Sequence, residues 1–160
     1  MKLAGLIEEQ FEEFVAAESA DQGKTLQQAR SLDIPRSIQN IRYFASLCLH
    51  MDDSMHTLDG VAQTYTIRQP VGIVGVISPW NLPLYLLTWK IAPALAAGNC
   101  VIAKPSELTS LTAFMLCELI TKAGFPQGVV NVVFGRGSTA GEAIVAHPLI
   151  RAISFTGGIV

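Results

Sequence analysis

The stretch VGIVGVISPWNLP (residues 71–83) decides how the rest of the chain reads. Its first seven residues form a dense apolar run rich in β-branched side chains, the texture of a buried strand. The run stops abruptly at Ser78 and is followed by Pro79, Trp80 and Asn81. Pro79 and Pro83 restrict the backbone and Trp80 supplies bulk, so an amide is held at the end of the strand with little freedom. Two readings of Asn81 stand side by side. It can N-cap the helix that begins near Pro83. Alternatively, its side-chain N–H₂ can be aimed at a carbonyl oxygen on which charge develops, the chemistry of an oxyanion hole.

Outward from this stretch, three more β-rich runs follow, over residues 100–103, 129–134 and 152–155. Helical patterns over 84–97, 111–123 and 140–146 separate them. Gly98 and Gly124 are placed to end the first two helices, and Thr139 with Glu142 has the spacing of a capping box for the third. Apolar strands alternating with helices predict an α/β fold with a parallel sheet covered on both faces. Before it, residues 3–19 put Leu3, Leu6, Ile7, Phe11, Phe14 and Val15 at helical spacing. A second helix is expected from Ile34-Pro35, with Asp33 as its N-cap. Residues 52–62 read as irregular, and 64–68 as a half-exposed strand. The expected organisation is an N-terminal helical segment, 1–62, followed by a parallel α/β unit, 63–160.

Composition bounds the possibilities. Of 160 residues, 50% are hydrophobic and 15% charged, with a net charge of -2, which excludes a disordered chain. This balance gives no reason to expect nucleic acid or an anionic membrane as partner. Cys48, Cys100 and Cys117 form no CxxC pair and no Cys/His cluster, so no metal site is expected. A reduced, cytoplasmic setting fits them, and all three read as packing residues. The most apolar window, 82–97, is interrupted by Lys90 and Pro93 and falls short of a membrane span.

Ligands of parallel sheets gather at the carboxyl ends of the strands. Here those ends read SPWN (78–81), KPSE (104–107), FGRGSTAG (134–141) and FTGG (155–158). Lys104 and Glu107 can both bond a vicinal diol such as a ribose, and the carboxylate would repel a 2′-phosphate. The plainer alternative is a surface pair near a helix N-terminus, where Glu is favoured anyway. Gly135-x-Gly137 is followed by Gly141, one residue too late for the GxGxxG fingerprint, so steric and phosphate-binding readings both remain.

Four motifs in this order and spacing carry a resemblance: Pro79-Trp80-Asn81, Lys104-Pro105-Ser106-Glu107, Gly135-x-Gly137-x-x-x-Gly141 and Phe155-Thr156-Gly157. Together they resemble the NAD(P)-dependent aldehyde dehydrogenase superfamily, and the likeness reaches back through ESADQGKTLQQARSLDIPRSIQNIRYFAS to cover nearly the whole chain. DIPRS and PWNLPLYLLTWKIAPA look most similar to the semialdehyde-oxidising branch that includes 2-aminomuconate semialdehyde dehydrogenase. The resemblance implies oxidation of an aldehyde to an acid, with NAD as hydride acceptor and a homo-oligomeric parent enzyme. It implies that the Asn81 amide donates to the aldehyde oxygen as this becomes the oxyanion of a thiohemiacetal. It also implies a cofactor cleft of Ile77, Ser78, Pro79, Trp80, Lys104, Ser106, Glu107, Gly137, Gly141, Phe155, Thr156 and Gly157. The family's nucleophilic Cys and general-base Glu lie beyond its FTG motif, and Gly158-Ile159-Val160 departs from the usual Ser there. The resemblance therefore implies an incomplete, N-terminal part of such an enzyme, inactive alone, in which the helical segment 1–62 packs on a partial NAD-binding Rossmann-like unit, 63–160. Its competitors are a non-catalytic NAD-binding fragment and an inert truncation product.

Overall fold

A computed structural model describes residues 1–158, so the Ile159-Val160 part of the departure after FTG lies outside the described residues. The chain opens with α1, Lys2–Glu9, and α2, Phe11–Gln22. The single helix expected over 3–19 is thus two, broken at Gln10 (φ −106°, ψ 26°). The inward residues Leu3, Ala4 and Ile7 continue at the same spacing into Phe14, Val15 and Glu18. A periodic pattern is blind to a one-residue backbone break of this kind.

The next helix also starts earlier than expected. Thr25 caps α3, Leu26–Gln28, in a reciprocal capping box with Gln28. The helix then passes through a π-helical turn, Ala29–Asp33, into α4, Ile34–Leu47. The wider turn lies where the Pro35 ring would otherwise meet the carbonyl four residues back. Asp33 is therefore no N-cap: its backbone is helical and its carboxylate takes the Lys24 ammonium, 2.6 Å away. Residues 52–62, expected to be irregular, contribute to an antiparallel hairpin of β1, Met55–Leu58, and β2, Ala62–Tyr65. Both strands are exposed throughout, which removes the in–out alternation that sequence patterns detect.

The remaining elements are β3, Ile73–Ile77; α5, Pro83–Ala96; β4, Cys100–Lys104; α6, Leu111–Ala123; β5, Val130–Val132; α7, Glu142–Ala146; and β6, Ile150–Phe155. The four strands β3 to β6 form one parallel sheet in the order β5-β4-β3-β6, the α/β architecture expected from the sequence. Gly98 and Gly124 close α5 and α6 in left-handed conformations, φ +79° and +89°. The Thr139/Glu142 capping box does not form. Thr139 lies within a π-helical turn, Gly137–Gly141, and donates its hydroxyl to the Arg136 carbonyl.

Chain direction reverses after β5, because β6 returns to the far side of β3. Right-handed crossovers then put α5 and α6 on one sheet face and α7 on the other. The first face is the core: Val74, Val76, Val101 and Ala103 pack with Leu84, Leu87, Leu116 and Leu119, and with Ile7, Phe14 and Ile34 of the N-terminal helices. The second face is covered only in part, against the expectation of full cover on both sides. α7 brings Ile144 over Gly75, while Ile153 (40%) and Phe155 (55%) stay exposed. Gly75 makes that approach possible. A Cβ there would sit 2.6 Å from Ile144 Cγ2 and 2.8 Å from Ile153 Cδ1. Gly75→Ala is expected to push α7 off the sheet and lower unfolding stability by about 1–3 kcal/mol, as read from chemical denaturation.

Candidate functional site

All four parallel strands end on one rim, about 14 Å across at the usual strand spacing. The sheet's switch in direction falls between β3 and β6, the place where such folds form a ligand crevice. Backbone hydrogen bonds continue past the strand ends and pin the loops side by side. Ser78 N–H donates to Lys104 O (3.1 Å), Thr156 N–H to Ile77 O (3.1 Å) and Val133 N–H to Ala103 O (2.9 Å).

On the β3 loop, Ile77 and Ser78 are buried, Pro79 is half-buried and Trp80 is exposed. The Ser78 hydroxyl has no hydrogen-bond partner among the described residues despite its burial. Such an orphaned polar atom costs free energy unless something else satisfies it. Asn81 is exposed, and it does not cap α5. The capping position is Leu82, without a side-chain cap, and the Leu84 N–H is taken by Glu18 Oε1 at 3.4 Å. Of the two readings of Asn81, the helix cap is therefore not realised. The side-chain amide is left without a partner among the described residues, and only the Asn81 carbonyl is bonded, by Lys24 Nζ at 3.2 Å.

At the end of β4 the Lys104 side chain is buried, and its ammonium emerges to donate to Pro105 O (2.9 Å) and Glu107 Oε2 (3.1 Å). Hydrogen bonding from its own backbone N–H, then from Lys104, holds the Glu107 carboxyl below the usual range, so the half-exposed group is ionised at neutral pH. Ser106 serves the loop itself: its Oγ accepts the Leu108 N–H and its carbonyl accepts the Ser110 hydroxyl. Gly141 packs over Lys104, whose Cδ would lie 3.8 Å from an added Cβ, whereas Gly137 borders open space. At the end of β6, Phe155 is exposed, Thr156 half-buried, and Gly157 has no room for a Cβ beside the Phe155 ring. The structure thus brings every expected site residue to this rim.

It also adds residues that sequence reasoning passed over. Lys90, noted above only as an interruption in an apolar helix, is buried and donates to Thr156 Oγ1 at 2.6 Å. Burial pushes its pKa down. A lone cation within an apolar helical face was the available signal. Arg36 lies over the Tyr85 ring, 5.5 Å from its centroid, and donates to Tyr85 Oη (3.3 Å) and Gln39. No carboxylate pairs with it among the described residues, and Tyr85 stands four residues after Asn81. Glu18 is fully buried and accepts from Thr112 Oγ1 (2.7 Å) as well as from Leu84. Desolvation raises its pKa to about 7, against the opposing bond from Thr112. Nothing in a glutamate-rich amphipathic helix distinguishes Glu18 in advance. Among the described residues there is no group of three His, Cys, Asp or Glu able to hold a metal, and no helix long and apolar enough to cross a membrane.

Comparison with known proteins agrees with this arrangement. The model of the aldehyde dehydrogenase family matches residues 1–160, and the chain belongs to that family. It is 63% identical to the human 2-aminomuconic semialdehyde dehydrogenase and 62% identical to that of Danio rerio, each over 157 residues. Both alignments take in 98% of this chain and 32% of the relative. The NAD+ complex of an aldehyde dehydrogenase from Bacillus cereus superposes with a TM-score of 0.95 at 43% identity, over 98% of this chain and 32% of that one. The chain spans about a third of the length of the curated relatives it matches.

Glu18 gives the site a pH signature. An acid whose folded pKa is raised stabilises the fold fully below its unfolded value and progressively less as pH rises through the folded one. Unfolding stability is therefore expected to fall between pH 4.5 and about 7, by on the order of 3 kcal/mol from this group. Glu107, whose pKa is lowered, acts below pH 4.5 and outside that window. In Glu18→Gln, which keeps acceptor and shape, the decline should disappear when denaturation midpoints are compared across pH.

Proposed function

We propose that the protein is an NAD-dependent aldehyde dehydrogenase that oxidises a carboxylate-bearing aldehyde, a semialdehyde, to the acid. Residues 63–160 would supply the cofactor cleft and the donor for the developing oxyanion, with residues 1–62 as the helical segment packed on it. The observation that carries this reading is an exposed Asn81 amide, free of any capping duty, on the same rim as the Lys104–Glu107 pair.

The residues present fit the cofactor. Lys104 and Glu107 set an ammonium and a carboxylate 3.1 Å apart at the rim, the donor and acceptor that a ribose diol can bridge. The ionised Glu107 disfavours a 2′-phosphate, which supports NAD over NADP. Ser78 offers a buried hydroxyl that still lacks a partner. Gly137 and Gly141, Pro79 and Trp80, and Phe155, Thr156 and Gly157 would wall the same cleft. When bound, NAD+ supplies the acceptor for a hydride. The protein's own part is to orient the aldehyde and stabilise charge on its oxygen. A fixed amide does this without reorganising, which is why it favours the transition state over the ground state.

The substrate class rests on the relatives' names and on Arg36. Two of the relatives are 2-aminomuconic semialdehyde dehydrogenases. Arg36 presents a guanidinium with no carboxylate partner among the described residues, laid over Tyr85, the residue four after Asn81 in the chain, and such a group suits the acidic end of a semialdehyde. The exposed Met55, Leu58 and Tyr65 of the hairpin support association of copies, so the parent enzyme is read as a homo-oligomer, and the three free cysteines fit a reduced, cytoplasmic setting.

Aldehyde oxidation through a thiohemiacetal needs a thiolate in the cleft. Cys100 opens β4 at the end opposite the rim, Cys117 lies within α6 with its thiol pushed up by burial, and Cys48 follows α4. None of the three supplies it. Residues 1–160 alone are therefore expected to bind NAD+ and turn over no aldehyde. The test is thermal unfolding with NAD+, NADP+ or neither. NAD+ at 100 times its Kd should stabilise the fold by about 2.7 kcal/mol, a rise of several degrees, with less from NADP+. Lys104→Ala combined with Glu107→Ala should abolish the shift. An unchanged midpoint with NAD+ would remove the cofactor reading, and turnover by this chain would refute the assignment of the nucleophile elsewhere.

A further inference from the structure

We propose that Lys24 is a positioning residue for Asn81: its ammonium, anchored on the buried Asp33 carboxylate, holds the Asn81 carbonyl and so fixes the backbone from which the side-chain amide projects. The inference rests on the oxyanion reading of Asn81, which nothing in the fold of residues 11–33 would suggest.

The geometry carries it in three steps. Lys24 Nζ donates to Asp33 Oδ1 at 2.6 Å and to Asn81 O at 3.2 Å. Its side chain is 8% exposed and that of Asp33 1%, so this is a desolvated ion pair rather than a surface contact. Charge-assisted bonds of this kind are short, strong and directional. Second, the loop has no other hold at that point. Ser78 N–H is tied to β4, the Leu82 carbonyl to the Leu86 N–H of α5 and Leu84 N–H to Glu18, whereas among the described residues Asn81 itself is held only at its carbonyl, by Lys24. Asn81 belongs to neither strand nor helix, and its exposed side chain has no packing to hold it. Fixing the peptide plane after Asn81 anchors one side of its Cα and leaves rotation about ψ, χ1 and χ2 as the remaining freedom of the side chain. Third, the anchor is itself rigid. Asp33 lies in the helical run that continues into α4, and its carbonyl accepts the Ser37 hydroxyl at 2.7 Å. Lys24 follows the left-handed Gly23 that ends α2, and its carbonyl accepts the Ser19 hydroxyl.

Lys24 touches no reacting atom in this scheme and acts only through Asn81. A functional amide must be held to within a fraction of an ångström to be worth its full contribution, and such precision comes from supporting hydrogen bonds. The pairing joins two segments 57 residues apart, so a residue of the N-terminal segment sets the geometry of a loop on the sheet.

The experiment is backbone ¹⁵N relaxation of the Asn81 amide in the 160-residue protein, without cofactor or substrate. In the wild type its order parameter should lie in the ordered range, toward ~0.85. In Lys24→Met, which keeps the stem and removes the donor, it should fall below ~0.6. Asp33→Asn, which leaves Lys24 free to bond the Asn81 carbonyl, should keep at least half of the difference. Should Lys24→Met fail to fold, Lys24→Gln, with an uncharged donor on a shorter chain, carries the same comparison and must also lower the order parameter. An Asn81 amide as ordered in the Lys24 variant as in the wild type would overturn the proposal, even if the variant melts earlier, because Lys24 would then serve only Asp33. An amide already mobile in the wild type would overturn it too. The readout follows the backbone placement of Asn81 whether or not its side chain meets an oxyanion, so it fails separately from the cofactor titration that tests the functional reading.

Discussion

Two carboxylates on α2 reach across the molecule to the helices that cover the sheet. Glu18 accepts from the Leu84 N–H in the first turn of α5 and from Thr112 in the first turn of α6, and Asp21 accepts from the Leu111 N–H at 2.8 Å. Helix N-termini carry orphan donors and partial positive charge, so an acceptor placed there satisfies both needs at once. Neither α5 nor α6 has a side-chain cap of its own. Their caps come from 66 and 90 residues away, and without α2 both N-termini would be left bare. The N-terminal helices are in this sense part of the cofactor-side architecture.

That constraint also shapes the site. Because Glu18 occupies the start of α5, Asn81 has no capping work and its amide stays free. Because α2 ends just beyond Asp21, at Gly23, Lys24 arrives beside Asp33 and the Asn81 carbonyl. One short helix thus serves helix termini and, through the next residues, the orientation of the loop at the end of β3. The arrangement places a buried acid with a pKa near 7 close to a buried ion pair. Breaking such a cluster by removing a single partner leaves an uncompensated group and costs more than the pair's net worth.

The sheet shows a matching asymmetry. Its first face is a continuous core shared with α1, α2 and α4, while its second face carries only α7 over Gly75 and β6. Ile153, opposite Gly75, and Phe155, opposite Ile77 at the strand end, stay exposed on this second face.

The α/β class, the four parallel strands and the position of the four motifs at the strand ends were legible in the sequence, whereas the part of Lys90 was not. These follow from local facts: apolar runs of strand length, glycines that end helices, and motifs whose residues are neighbours in the chain. Errors fell where local pattern and backbone part company. The break at Gln10 leaves the apolar stripe intact, the hairpin has no buried face to impose alternation, and the π turn before Pro35 conceals that helical structure already begins after Thr25. The chemistry of individual side chains was set by the tertiary structure alone. Asp33 looked like a cap and is an anchor for Lys24; Asn81 looked like either a cap or a donor, and a glutamate 66 residues away in the hydrogen-bond pairing of α5 removed the first choice. Capping, ion pairing and pKa depend on which groups meet across long separations and on how much water remains between them, and neither quantity is written in a local stretch of sequence.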